Sequence, residues 1–204
     1  AYEIACMYRE RKIKVVMGGI HVSMLPDEAL QYADVVVVGE VESIWERVIN
    51  DFENKRLSTK YVGIQIDLTQ FKITPRHDLL HPNYFWHSVQ TSRGCPFNCY
   101  FCSVSKHLGK EYRQRKPQEI LNELEEIRGE YITFVDDNLI GFSPESKNRA
   151  MELFKGMIQR RLHKKWWMQT SINAADNEQV VDLASQSGCL YVFIGFETIS
   201  QGML

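Results

Sequence analysis

The feature that most constrains this chain is a regular alternation of short valine- and isoleucine-rich runs with amphipathic segments. Val35-Val36-Val37-Val38 is apolar without interruption, and a similar run occupies residues 13–17. A strand that is apolar on both faces must be covered on both faces, which is the habit of a strand in a parallel sheet. Helical patterns flank these runs over residues 1–11, 26–32 and 43–52, so residues 1–54 predict a parallel α/β domain. Two strands are too few for a doubly wound domain, and the segment reads as the C-terminal portion of one. The chain is therefore expected to be a piece of a longer protein. Over residues 55–87 the pattern breaks into short runs interrupted by Pro75 and Pro82, which predicts a connector with little regular structure.

From residue 88 the alternation returns, with strands predicted over 88–91, 131–135, 167–171 and 190–196. Pro117 with Glu119, Ser143-Pro144 and Asn177 mark helix starts, and Gly188 stands at a C-cap position. Successive parallel βα units form either an open sheet or part of a barrel, and in both the ligand groups gather at the strand C-termini. Polar residues follow that rule: Ser92 and Arg93 after the first strand, Asp136, Asp137 and Asn138 after the second, Asn173 after the third, Glu197 and Thr198 after the fourth. In the first segment Gly18-Gly19 and Gly39 follow the two strands, and glycine at such an end permits close approach of a bulky ligand.

Composition excludes several classes. Hydrophobic residues at 44% and charged residues at 25% are the balance of an ordinary globular protein. With 24 basic against 26 acidic residues, the net charge of -2 gives no global attraction for nucleic acid. Two local basic clusters, residues 106–116 and 160–165, read as solvated surface, Arg113 and Arg115 having a second reading as partners of strand-end acids. No signal peptide and no run of about eighteen apolar residues is present, so a cytoplasmic setting is expected. Of five cysteines, Cys6 and Cys189 read as small buried hydrophobes, while the odd, clustered count argues against a disulfide framework.

The remaining three cysteines lie in Arg93-Gly94-Cys95-Pro96-Phe97-Asn98-Cys99-Tyr100-Phe101-Cys102, close enough for one loop to wrap a metal centre. Thiolates suit iron-sulfur clusters or zinc, and His107 could complete a Cys₃His zinc site. Three thiols without a fourth would leave one iron of a cubane open to another ligand.

The same loop resembles the C-x₃-C-x-aromatic-C signature of the radical S-adenosylmethionine superfamily, with Phe101 as the aromatic. That resemblance implies a partial (β/α) barrel in which Cys95, Cys99 and Cys102 hold a [4Fe-4S] cluster and S-adenosylmethionine chelates the open iron. It implies reductive cleavage of the cofactor to methionine and a 5'-deoxyadenosyl radical. Asp136 and Asp137 correspond in place to the family's Gly-Gly-Glu element, which contacts the methionyl amino group, although Phe134 and Val135 stand where the glycines would be. Gly195-Phe196-Glu197-Thr198 is similar to the family's Gly-Ile-Glu-Ser element, and Asn173 falls where a cofactor contact is expected.

Upstream, Gly18-Gly19-Ile20-His21, Pro26-Asp27 and Gly39-Glu40-Val41-Glu42 resemble the end of a Rossmann-like cobalamin-binding domain fused to such a barrel, with Val41 replacing a glycine. This branch includes methyltransferases acting on unactivated carbon and anaerobic oxidative cyclases of magnesium-porphyrin synthesis. It implies cobalamin in the full-length protein, a small-molecule substrate of tetrapyrrole or lipid-like character, a reductant such as flavodoxin or ferredoxin, and no nucleic acid. The competing readings are a Cys₃His zinc domain that binds nucleic acid through residues 106–116, and a radical enzyme of the methylthiotransferase type.

Overall fold

The computed structural model describes residues 1–70, 74–97, 99–197 and 200. The chain divides into two compact units, Ala1–Asp67 with Phe97–Lys110 and Leu68–Pro96 with Glu111–Leu204.

In the first unit, helix α1 (Tyr2–Glu10) precedes strand β1 (Val16–Met17). Then come α2 (Ile20–Met24), α3 (Pro26–Ala29), β2 (Val35–Val38), α4 (Trp45–Glu53), β3 (Lys60–Val62) and, from the cysteine segment, α5 (Val104–His107). The three strands form a parallel sheet in the order β1-β2-β3. The valine run works as its composition demands: Val36 packs with Val22, Ala29 and Ala33, while Val35 and Val37 pack with Val48 and Tyr61. Because successive side chains of a strand point to opposite faces, each of these clusters covers one face of β2. Strand β3 falls within the stretch expected to be irregular. At three residues, with only Tyr61 buried, it is too short to carry a period.

The second unit contains β4 (Trp86–Val89), β5 (Ser92–Arg93), β6 (Arg113–Gln114), α6 (Pro117–Glu126), β7 (Tyr131–Phe134), α7 (Pro144–Gln159), β8 (Lys165–Thr170), α8 (Glu178–Gln186) and β9 (Cys189–Ile194). Its main sheet is parallel throughout in the order β4-β7-β8-β9, as the alternation predicts. Parallel neighbours need a crossover, which α6, α7 and α8 supply. Proline at N1 opens α6, a Ser143–Ser146 capping box with Pro144 opens α7, and the Asn177 side chain accepts from Val180 N at 3.1 Å to open α8. The short antiparallel pair β5–β6 is an addition to the predicted elements, since two-residue strands leave no periodic trace.

One face of the main sheet is filled against the helices. Trp166 is fully buried there, edge-on to Phe134 at 5.2 Å and stacked on Phe154 at 5.1 Å, while its indole N–H donates to the Ser187 carbonyl at 3.0 Å. By pleat alternation the opposite face carries Trp86, Tyr131, Trp167 and Phe193, with Trp86–Tyr131 and Trp167–Phe193 ring pairs each at 5.0 Å. Among the described residues no helix is long and apolar enough to cross a membrane.

Candidate functional site

The C-terminal ends of the second unit's strands carry a connected polar network. Beyond β7 the chain alternates, so that Asp136 is buried and Asp137 is exposed. The Asp136 carboxylate accepts the Thr91 backbone N–H at 3.0 and 3.1 Å to its two oxygens, the Thr91 hydroxyl at 3.0 Å and the Ser92 hydroxyl at 2.5 Å. Burial pushes its pKa up from the usual carboxylate range, opposed by these hydrogen bonds and by the charge of Arg149. Arg149, also buried, donates from Nε to the Arg115 carbonyl at 2.9 Å and from Nη2 to the Thr91 carbonyl at 2.8 Å.

Next along the rim, the Asn138 amide oxygen accepts from Gly141 N at 2.9 Å and from the Thr170 hydroxyl at 3.0 Å, and its NH₂ donates to Ser171 Oγ at 2.8 Å. The Tyr112 hydroxyl donates to the Asn138 carbonyl, and burial raises that phenol to about 12. Asn173 is half-buried: its NH₂ donates to the Gly141 carbonyl at 3.2 Å, its amide oxygen accepts from Ser171, and its carbonyl accepts from Lys147 Nζ at 3.0 Å. The structure thus joins Asn173, Asn138 and Tyr112 in one network. Glu197 is exposed, with its backbone in the left-handed region at φ 57°, and its carboxylate folds back over Gly195. Thr198, expected beside it, lies outside the described residues.

The cysteine loop leaves β5 through Gly94, whose φ of 91° is a turn conformation that favours glycine. Cys95 and Cys102 are half-buried, Cys99 is exposed, and none of the five thiols is in a disulfide. Cys102 N donates to the Cys99 carbonyl at 3.1 Å, which closes a turn between the second and third thiols. Phe97, Tyr100 and Phe101 are exposed, the last two edge-to-face at 5.5 Å, and Asn98 lies outside the described residues. Among the described residues no three His, Cys, Asp or Glu side chains are gathered at metal-binding separations. The donor chemistry nevertheless fits an iron-sulfur cluster: three unoxidised thiols of at least partial exposure, on a segment without strand structure that can wrap a centre.

In the first unit the predicted glycines stand at the strand ends. Gly18 follows β1 with Val37 O 3.5 Å from the position a Cβ would take, and Gly19 has φ 95°. Gly39, at φ 83°, follows β2 and donates its N–H to Ser23 Oγ at 3.0 Å. Its backbone presses against Gly63 beyond β3, so a Cβ on Gly39 would meet Gly63 O at 2.5 Å and one on Gly63 would meet Glu40 O at 2.1 Å. Sequence reasoning missed Gly63 because β3 itself was not legible. His21 contacts Tyr2 and Glu28 at 3.0 and 3.1 Å, an engagement with its own helical neighbourhood.

Lys106, Lys110, Lys116, Arg161 and His163 are exposed, as a solvated surface requires, and the expectation is corrected at Arg113, Arg115 and Lys164. Arg113 and Arg115 are buried, and Arg115 pairs with Glu123 on α6 at 2.6 Å while donating to the Gln90 carbonyl at 2.8 Å. Lys164 is buried with Nζ on the Ile127 and Gly129 carbonyls, Lys165 pairs with Glu130 at 2.6 Å, and Arg160 pairs with Glu125 at 3.0 Å. The arginines that a nucleic-acid surface would need at 113 and 115 face inward. His107 ends α5, half-buried.

A parallel βα series with polar strand ends, entered through a three-cysteine loop, defines a class of enzymes that hold an iron-sulfur centre at a barrel rim. The chain belongs to the radical SAM superfamily, whose family model matches residues 89–203. Over its whole length it is 30% identical to the bacteriochlorophyllide d C-8(2)-methyltransferase of Chlorobaculum tepidum, of which it spans 48%. The fold of 98% of the chain matches the cobalamin-dependent S-adenosylmethionine radical enzyme OxsB with aqua-cobalamin and S-adenosylmethionine bound, at TM-score 0.78, 16% identity and 34% of that chain. It matches equally the radical S-adenosylmethionine methyltransferase TsrM of Kitasatospora setae with cobalamin and a [4Fe-4S] cluster bound, at TM-score 0.76, 19% identity and 46% of that chain. These two likenesses establish the fold, including the α/β unit before the barrel. Neither the zinc-domain nor the methylthiotransferase reading is favoured by them.

Proposed function

We propose that the protein containing this chain is a cobalamin-associated radical S-adenosylmethionine methyltransferase. The observation that carries the reading is the three-thiol loop issuing from a strand-end network of parallel βα units in a chain of this family. Cys95, Cys99 and Cys102 would hold a [4Fe-4S] cluster. When bound, the cluster with S-adenosylmethionine supplies one-electron cleavage of a carbon–sulfur bond. Asp137, exposed at the β7 end, would accept the methionyl ammonium by charge-assisted hydrogen bonds. Glu197 and Asn173 would border the same cofactor on the second unit's rim, and Phe101, the aromatic of the motif, would belong to the cluster loop's own contacts. Gly18, Gly19 and Gly39 give cobalamin a backbone-lined surface in the first unit.

The bacteriochlorophyllide relative supports a small-molecule substrate of tetrapyrrole character, with a lipid-like substrate as the alternative. Oxidative cyclisation is the second outcome open to the same chemistry. A flavodoxin or ferredoxin would deliver the electron, and a reducing cytoplasm would keep the three thiols available to iron.

Electron paramagnetic resonance of the reduced, reconstituted protein tests this. S-adenosylmethionine is expected to shift the cluster signal, and Asp137→Ala to weaken that response at unchanged iron content. A signal indifferent to S-adenosylmethionine in the longer protein would count against the cofactor assignment. Failure of that protein to retain cobalamin would remove the first-unit assignment alone.

A further inference from the structure

The geometry points to Asp136 as a positioning residue for the cluster loop, a role distinct from the cofactor contact that its place in the chain suggests; the inference rests on the cluster reading above. The three groups that donate to its carboxylate, the Thr91 N–H and the Thr91 and Ser92 hydroxyls, all belong to Thr91 and Ser92. Those residues lead directly into Arg93, Gly94 and Cys95, the first thiol. Three donors supply these contacts: Oδ1 accepts from both hydroxyls and the Thr91 N–H, which Oδ2 shares at 3.1 Å, and the whole carboxylate is buried, so it faces the loop stem and not the exposed rim where Asp137 stands.

The second foot of the loop is fastened to the same place. Ser92–Arg93 pair antiparallel with Arg113–Gln114, Arg115 N donates to the Thr91 carbonyl at 2.9 Å, and that carbonyl also accepts from Arg149. Arg149 further holds the Arg115 carbonyl, and Tyr112 donates to the Asn138 carbonyl just past Asp136. The stem that opens and closes the loop is thus clamped between the end of β7 and one buried arginine of α7. Such a clamp limits the conformations open to Cys95 before any metal arrives, so that cluster assembly loses less chain entropy.

Amide hydrogen exchange on the full chain, before and after anaerobic reconstitution, reads this without relying on activity. In Asp136→Ala the Thr91 and Arg115 amides should exchange at least about ten-fold faster than in the wild type, the factor for losing one hydrogen bond to a charged acceptor, while β8 amides stay unchanged. Cluster content should fall with them, and Asp136→Asn should recover part of both. Should Asp136→Ala unfold, Ser92→Ala decides: native circular dichroism with faster exchange confined to the stem supports the clamp, and wild-type exchange there overturns it. Retained stem protection and full cluster content in Asp136→Ala, with loss of the S-adenosylmethionine response, would make Asp136 a direct cofactor ligand and overturn the proposal. A wild-type protein that takes up no cluster would sink the cluster reading separately, and the exchange arms would still decide what Asp136 holds.

Discussion

The strands of the first unit end on glycine, whereas β4, β7 and β8 of the second run into a network of buried and half-buried acid, amide and hydroxyl groups. At Gly39 and Gly63 the backbones approach so closely that no Cβ fits, and the buried Glu40 beside Gly39 accepts the Ile66 N–H at 2.9 Å. At Asp136, Asn138 and Asn173 the ends are tied by side-chain hydrogen bonds that span Thr91, Ser92, Tyr112, Thr170 and Ser171. The first solution packs backbone against backbone. The second spends its polar groups on holding protein segments in place, with Asp137 and Glu197 left on the exposed side. Position at a strand end is therefore not enough to make a residue a ligand contact.

Breaking the second unit's rim should have the larger effect. Asp136→Ala leaves three buried donors, the Thr91 N–H and the Thr91 and Ser92 hydroxyls, without their acceptor, which is expected to cost about 1–3 kcal/mol for each that stays unsatisfied. Gly63→Ala places a methyl 2.1 Å from the Glu40 carbonyl and forces a backbone shift. Overpacking of this kind costs about 1–3 kcal/mol. Denaturant melts with site-resolved exchange check both: the first should loosen the stem at 91–93 and 113–115, the second the β2–β3 ends. Equal and delocalised losses would erase the distinction between the two kinds of strand end.

A smaller effect is expected from His87 on β4, which is buried. Burial holds its pKa below the ordinary histidine value, with His77 and Lys164 adding in the same direction. The neutral ring is thus favoured in the fold, so its contribution is present above the unfolded value of about 6.5 and is lost as pH falls through that value toward the lower folded one. The melting temperature should drop between neutral pH and mildly acid pH, and His87→Gln should flatten that drop. An unchanged pH slope in the variant would assign it to other groups.

How much of this the amino-acid order reveals depends on how many residues each feature spans. Four consecutive valines, and Pro117, Ser143-Pro144 and Asn177 before amphipathic runs, announce the parallel strands and the helix starts. The cysteine loop is legible because its spacing is a motif. By contrast β3, β5 and β6 hold two or three residues each and have no period to read. The pair Asp136-Asp137 is visible, but which acid turns inward is set by the pleat phase inherited from Ile132 and Phe134. Arg113, Arg115 and Arg149 look like surface residues because arginine is seldom buried, and only the fold supplies the carbonyls and acids that make their burial tolerable.

The central claim is that the three thiols hold an iron-sulfur cluster. Anaerobic reconstitution followed by iron, sulfide and zinc analysis tests it most directly. Iron and sulfide are expected in equal amounts, about four of each per chain, lost on replacing Cys95, Cys99 or Cys102 by alanine and unchanged in His107→Ala. Stoichiometric zinc without sulfide, abolished by His107→Ala, would contradict it.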